Sequence, residues 1–142
     1  MTKYTVHTNI LQNVLRVVLG AMMTLAAIAH FTFARVGFQA QVPDWVPMDK
    51  DLVVILSGIV ELGMGLCMIF WVKEKVRIGI VLGIFYVLVF PGNIAQYTNH
   101  ISALHMDTDA DRLRRLYFQP VLILWALWCT GALKYLFYPD KY

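Results

Sequence analysis

The chain has 142 residues, of which 59% are hydrophobic and only 15% are charged. An average soluble domain has roughly 45–50% apolar and about 25% charged residues. A net charge of +3 that is scattered along the chain excludes a nucleic-acid module, and the apolar composition excludes a disordered protein. Cys67 and Cys129 each lie in an apolar run, so we interpret them as small hydrophobic residues. The composition therefore predicts a protein partly solvated by lipid.

Four apolar segments are long enough to cross a bilayer, whose core of about 30 Å requires roughly 20 residues of helix. They predict helices over 11–34, 52–72, 76–98 and 110–137. A signal peptide is the alternative interpretation of the first segment, but its apolar run continues past the small residues at 27–29, so we expect it to be retained. We predict an all-α fold, an integral membrane four-helix bundle with residues 1–142 as one domain.

The orientation of this bundle follows from the lysines and arginines that flank the segments. Three of them lie in the short hairpin at 73–77, on the same side as both chain ends. That side carries seven Lys and Arg residues, and the opposite side carries five. We therefore predict that both termini lie in the cytoplasm.

Several polar residues are predicted to share one depth in the bundle. A carboxylate at the centre of a bilayer costs about 2.5–3.5 kcal/mol even on the mildest scale, so Glu61 must face protein or water. At about 1.5 Å per residue, His30, Asn93 and Gln119 also fall in the outer half of their helices. Arg115 shares a helix face with Gln119. We predict that these five residues form one candidate ligand-binding site.

Three interpretations of this polar cluster remain open. Pro91 and Pro120 each remove a hydrogen bond within a predicted helix, so Asn93 and Gln119 would serve a structural role if they satisfied the freed carbonyls. The second interpretation is a ligand pocket that opens toward the outer face. The third is a proton or ion path, although the inner half carries only two basic residues as stepping stones.

The first outward loop contains Pro43, Trp45 and Pro47, and two prolines around a tryptophan prevent a regular helix. It is either an interfacial loop anchored by Trp45 or a rigid cap over the mouth of the bundle, with Phe38 and Trp45 packed inward. We predict no metal site and no intrinsic cofactor, because His30 is the one histidine within a predicted helix and no nucleotide-binding or CxxC motif is present.

The order and spacing of five short motifs resemble the DoxX-like family of small bacterial membrane proteins. The motifs are His30-Phe31, VPDWVP at 42–47, SGIVELGMG at 57–65, FPGNI at 90–94 and QPVLI at 119–123. The resemblance implies a four-helix bundle in the bacterial cytoplasmic (inner) membrane that is associated with an oxidoreductase system. The family pattern often has alanine where Gly92 stands, a change that we expect to matter little.

Two functions follow as expectations. In the first, the chain is a small subunit of a membrane oxidoreductase system and binds a quinone or a similar apolar ligand. Glu61 and His30 would orient the ligand or exchange protons with it, Asn93 and Gln119 would donate hydrogen bonds, and Arg115 would favour an anionic form. In the second, the chain is a non-catalytic accessory or assembly subunit with a structural polar core. The expected partners are the lipid bilayer and other membrane subunits or further copies of the chain, without nucleic acid.

Overall fold

The computed structural model describes residues 6–101 and 107–141, and within these two ranges it contains helices and no strand. Lys3, one of the seven basic residues counted on the terminal side, and His105, a histidine outside the predicted helices, lie outside the described residues. The helices are α1 (Ile10–Phe31), α2 (Arg35–Gln39), α3 (Lys50–Phe70), α4 (Lys75–Thr98), α5 (Asp109–Cys129) and α6 (Ala132–Phe137), with short 3₁₀ turns at Val72–Glu74 and Pro139–Lys141.

Polar side chains mark where three of the long helices begin. Asn9 and Gln12 form a capping box at the start of α1, where each side chain bonds the other residue's backbone amide. The Asp49 side chain accepts from the amide of Asp51 at the start of α3, and Thr108 caps α5. These contacts satisfy amide groups that have no partner within the helix.

Three segments are long and apolar enough to cross a membrane, namely Ile10–Phe31, Lys50–Phe70 and Val72–Thr98. Their length and hydropathy fit the membrane character that the composition predicts. Helix α5 has a comparable length of 21 residues but is less apolar, because its first two turns carry the charged residues Asp109, Asp111, Arg112, Arg114 and Arg115.

The single helix predicted over 110–137 is two helices in the structure. Helix α5 ends at Cys129 and α6 begins at Ala132, with Gly131 between them in the left-handed conformation at φ +79°. The Thr130 hydroxyl donates back to the Ala126 carbonyl at 2.7 Å, and glycine accepts the left-handed turn that side chains disfavour. The apolar run continues across this break, so hydropathy alone did not reveal it.

The four long helices pack as two antiparallel pairs. In the α1–α3 pair, a Cβ atom on Gly20 would lie 2.8 Å from the Gly65 carbonyl oxygen. In the α4–α5 pair, a Cβ atom on Gly79 would lie 2.0 Å from Thr130 Oγ1, so small residues set both close approaches. A buried cluster joins the pairs: Leu19, Met23, Met68, Leu82, Tyr86, Ala126 and Cys129.

The two ends of this arrangement differ. At the terminal end, where α1 and α4 begin and α3 and α5 end, the buried Arg16 guanidinium donates to the Met68 carbonyl and to the Ile69 carbonyl at 3.4 Å. A cation at a helix C-terminus offsets the unpaired carbonyls there. The opposite end, which we call the α2 end, carries α2 and the loop to α3. The candidate site lies toward the α2 end.

Candidate functional site

A cavity of about 580 Å³ lies among α1, α3, α4 and α5 at the α2 end. Most of its lining is aliphatic and aromatic, from residues such as Met23, Val54, Phe85 and Leu122. The structure places all five predicted ligand-binding residues in its wall: His30, Glu61, Asn93, Arg115 and Gln119. Side chains that are separated by up to 89 positions in the sequence therefore meet in one space.

His30 and Glu61 form a pair on the α1–α3 side of the cavity. Nδ1 of His30 lies 3.3 Å from a Glu61 carboxyl oxygen, and their side chains are only 11% and 12% exposed. The same Nδ1 lies 2.8 Å from the Ala26 carbonyl, so it carries the proton and donates. The Phe38 ring stacks on the imidazole with centroids 3.7 Å apart, which fixes the ring plane. Gly58 makes the pairing possible, since a Cβ there would lie 2.9 Å from His30 Cβ.

Three polar side chains form a hydrogen-bonded chain on the α4–α5 side. Arg115 Nε donates to Asn93 Oδ1 at 3.2 Å, and Asn93 Nδ2 donates to Gln119 Oε1 at 3.1 Å. Gln119 Nε2 then donates to the Tyr86 carbonyl at 2.8 Å. Asn93 and Gln119 are 7% and 5% exposed, so this chain orders buried amides that would otherwise be costly.

The two helix prolines lie within this region. Pro91 is inside α4 and lines the cavity, whereas Pro120 is inside α5 and is not part of the lining. The carbonyl that Gln119 satisfies belongs to Tyr86, next to the Val87 carbonyl that loses its partner at Pro91. In the described ranges, no three His, Cys, Asp or Glu side chains come together as metal ligands would.

Gln41, in the loop after α2, ties this loop to the α4–α5 pair and was not found from the sequence. Its Oε1 accepts from Arg115 Nη2 at 3.3 Å, and its Nε2 donates to Oε1 of the buried Gln96 at 2.8 Å. The loop lies so close to α4 that a Cβ atom on Gly92 would be 2.4 Å from the Gln41 carbonyl oxygen. The expectation that alanine at Gly92 matters little is therefore wrong for this chain.

The loop with Pro43, Trp45 and Pro47 covers part of the cavity. The structure agrees with the cap interpretation at Phe38 but not at Trp45. Phe38 packs inward against His30, as the cap interpretation requires. Pro43 and Trp45 also line the cavity, but Trp45 is 73% exposed and lies at its rim. Pro47 is not part of the lining. Phe38 of α2 therefore caps the cavity, whereas the loop that follows is exposed at Trp45.

Ion pairs hold α2 and its loop against the start of α3. Arg35 donates from two nitrogens to the Asp51 carboxylate at 2.7 and 2.5 Å, and Gln39 donates to the same group at 2.8 Å. Lys50 Nζ lies 2.6 Å from Asp44 and holds the pKa of that carboxyl below its ordinary value. These contacts position the cap over His30.

The charge of Arg115 is the most informative electrostatic feature. A guanidinium stays protonated in proteins, yet no carboxylate in the described parts of the chain lies within 4 Å of Arg115. Its hydrogen-bond partners are the neutral amides of Asn93 and Gln41. Glu61 lines the same cavity. The cavity thus places an arginine without an ion-pair partner opposite a carboxyl–imidazole pair.

Comparison with protein families identifies a family for this chain. A family model described as a domain of unknown function (DUF8561) matches residues 19–130. The chain belongs to the DUF8561 family. The matched stretch contains all five candidate residues and every residue that lines the cavity. No curated protein and no solved structure matched the chain.

Proposed function

We propose that this DUF8561 protein binds a quinone-like ligand, apolar with ring oxygens, in the cavity at the α2 end. The observation that carries the proposal is the composition of the cavity wall. It is mostly apolar, and its polar groups come from Arg115, the Glu61–His30 pair and the amides of Asn93 and Gln119, together with Gln41, Ser57 and Tyr86. Ligand pockets typically measure about 300–1,000 Å³ and are apolar with a few polar groups that set orientation. The cavity of about 580 Å³ has that character.

Each polar group supports one interaction with such a ligand. Arg115 has donors beyond those used on Asn93 and Gln41, and a guanidinium favours an oxygen that carries negative charge. Glu61 and His30 provide a carboxyl and an imidazole 3.3 Å apart, a pair that holds or exchanges a proton. The aliphatic lining around Met23 and Leu122 accommodates a ring and a short apolar tail.

The proposal includes the setting of the site. The four long helices would form one bundle in the bacterial cytoplasmic membrane with both termini in the cytoplasm. The chain would serve as a small DoxX-like subunit of an oxidoreductase system, alongside other membrane subunits or further copies of itself. The three long apolar helices support the membrane location, and the motif resemblance supports the redox association.

Ligand binding is tested on the protein purified in mild detergent and titrated with decylubiquinone, a short-tailed quinone. We expect saturable binding that raises the unfolding temperature, because a ligand that binds only the folded state stabilises it. Arg115→Gln should weaken binding about tenfold or more, the loss expected for a charge-assisted hydrogen bond of roughly 1.5–3 kcal/mol. Arg114→Gln is the matched control, since its side chain is 80% exposed.

Two outcomes would contradict quinone binding in the cavity. If decylubiquinone does not shift the unfolding temperature of the folded protein, the cavity is not a quinone site. The same conclusion follows if Arg115→Gln and Arg114→Gln bind it equally. Glu61→Gln extends the test, because it keeps the shape of the side chain and removes its acid–base capacity. We expect it to fold and to lose proton-linked binding.

A structural, accessory role is the second candidate, and a specific observation favours it. Asn93 donates to Gln119, and Nδ1 of His30 donates to the Ala26 carbonyl and lies 3.3 Å from Glu61, so much of the cluster is satisfied within the protein. If this role is correct, Glu61→Gln should be at least as stable as the parent, since it removes a buried charge, and the protein should co-purify with other membrane subunits without binding the quinone.

A further inference from the structure

Tyr86 carries a buried hydroxyl that the fold does not use. It lies in the middle of α4, lines the cavity at the α2 end and is only 6% exposed. Its backbone carbonyl accepts from Gln119, but the side-chain oxygen has no hydrogen-bond partner within the described residues. That oxygen is also not sealed from solvent. Because the rest of the residue is buried, the accessible surface of the hydroxyl opens into the cavity.

A free tyrosine hydroxyl in such a place points to a ligand group. A buried tyrosine hydroxyl usually has a hydrogen-bond partner, and leaving it unpaired in apolar surroundings costs free energy. Ser57 also lines the cavity, but a serine hydroxyl in a helix can rotate to bond the carbonyl four residues earlier. The Tyr86 hydroxyl lies at the end of a rigid ring and cannot reach the backbone of its own helix in this way. Its partner must therefore enter the cavity.

Tyr86 and Arg115 offer donors at two different depths of the cavity. The amides of Asn93 and Gln119 are engaged at both the oxygen and the nitrogen. Arg115 donates to Asn93, and Asn93 follows Tyr86 by seven residues of α4. Two turns of helix place both residues on the same face, with Tyr86 about 10 Å further from the α2 end. Arg115 therefore meets the shallow part of a ligand and Tyr86 the deep part.

We propose that the Tyr86 hydroxyl donates a hydrogen bond to the second ring oxygen of the ligand, the one that Arg115 does not contact. This inference rests on the proposed quinone site and narrows its ligand to a ring with oxygens on opposite edges. A para-quinone that accepts a hydrogen bond of about 2.8 Å at each oxygen has a span of the same order as the distance of about 10 Å along α4. A ligand with a single polar end would leave one of the two donors unused.

The experiment titrates the full chain in mild detergent with decylubiquinone and compares Tyr86→Phe with the parent. We expect the substitution to weaken binding about two- to tenfold, the effect of one neutral hydrogen bond. Without the quinone, its unfolding temperature should equal or exceed that of the parent, because no hydrogen bond within the protein is lost. Tyr117→Phe is the matched control, since Tyr117 is 69% exposed and does not line the cavity; it should bind the quinone as the parent does.

The double variant of Tyr86→Phe and Arg115→Gln tests whether the two groups bind different oxygens. If they do, the two losses in affinity should multiply, as for independent contacts. A double variant that binds as well as the weaker single variant overturns the inference.

The remaining outcomes separate this inference from the quinone site itself. If the parent binds decylubiquinone and Tyr86→Phe binds it as well as Tyr117→Phe does, the role of Tyr86 is wrong and the quinone site stands. A lower unfolding temperature of Tyr86→Phe without the quinone also overturns the inference, because the hydroxyl then stabilises the fold. If the parent does not bind the quinone, the site and the inference fall together.

Discussion

Substituting alanine for Gly92 tests how closely the loop after α2 lies against α4. The added Cβ would be 2.4 Å from the Gln41 carbonyl oxygen, whereas ordinary contacts begin near 3.4 Å. The obstacle is backbone rather than the end of a flexible side chain, so no rotamer change relieves it. The loop must therefore retreat by about 1 Å, or α4 must shift by a similar distance.

The energetic consequence follows from what Gln41 contacts. A retreat of about 1 Å stretches its bonds to Gln96, now 2.8 Å, and to Arg115, now 3.3 Å, beyond hydrogen-bond distance. Each such bond contributes about 0.5–1.5 kcal/mol, and more where one partner is charged. Overpacking of this kind typically costs about 1–3 kcal/mol in total. We expect Gly92→Ala to lower the free energy of unfolding by that amount.

The assay is unfolding of both variants in the same detergent, with Gly63→Ala as the control. Gly63 is also within a helix, but a Cβ there meets nothing within 4 Å, so alanine should be neutral or stabilising by up to about 1 kcal/mol. The difference between the two variants isolates the contact with Gln41. If Gly92→Ala is as stable as Gly63→Ala, the loop after α2 does not lie against α4, and our description of how this loop covers the cavity is wrong.

Three further predictions concern the helix contacts and the loop. Arg16→Met should lower the free energy of unfolding by about 1–3 kcal/mol, because it leaves the carbonyls at the end of α3 buried and unpaired; parent-like unfolding would exclude this role. Gly79→Ala should also destabilise the protein in the same assay, since its Cβ would lie 2.0 Å from Thr130 Oγ1. The pKa of Asp44 should lie below its ordinary 3.8 because of Lys50, so the pairing is present at neutral pH and is lost as pH falls through that lowered pKa. Carboxyl NMR should show the pKa returning toward 3.8 in Lys50→Gln.

The long helices could be predicted because a membrane imposes a length on each apolar run. The segment predicted over 52–72 corresponds to α3 at Lys50–Phe70, and that over 76–98 corresponds to α4 at Lys75–Thr98. The break between α5 and α6 could not be read from hydropathy, since apolar residues continue on both sides. Gly131 was the available signal, because glycine is common just after the last residue of a helix.

The residues of the candidate site that lie on long helices could be predicted, because the helix sets how deep each side chain lies in the bundle. A constant rise per residue is enough to place His30, Glu61, Asn93 and Gln119 at similar levels, and the structure brings them into one cavity. Gln41 escaped this reasoning because a residue in an irregular loop has no fixed rise. Its position depends on the close approach to Gly92, which only the packed structure reveals.

The three arginines of α5 differ in whether an acid one turn earlier in the helix offsets their charge. Basic residues in the first turns of a helix oppose its dipole, and two of the three arginines there are offset by acids at i−3. Asp109 lies 2.6 Å from Arg112, and Asp111 lies 3.4 Å from Arg114. The residue three positions before Arg115 is Arg112 itself, so the same local pattern leaves Arg115 without an acid. Arg115 lies instead on the wall of the cavity that Glu61 also lines.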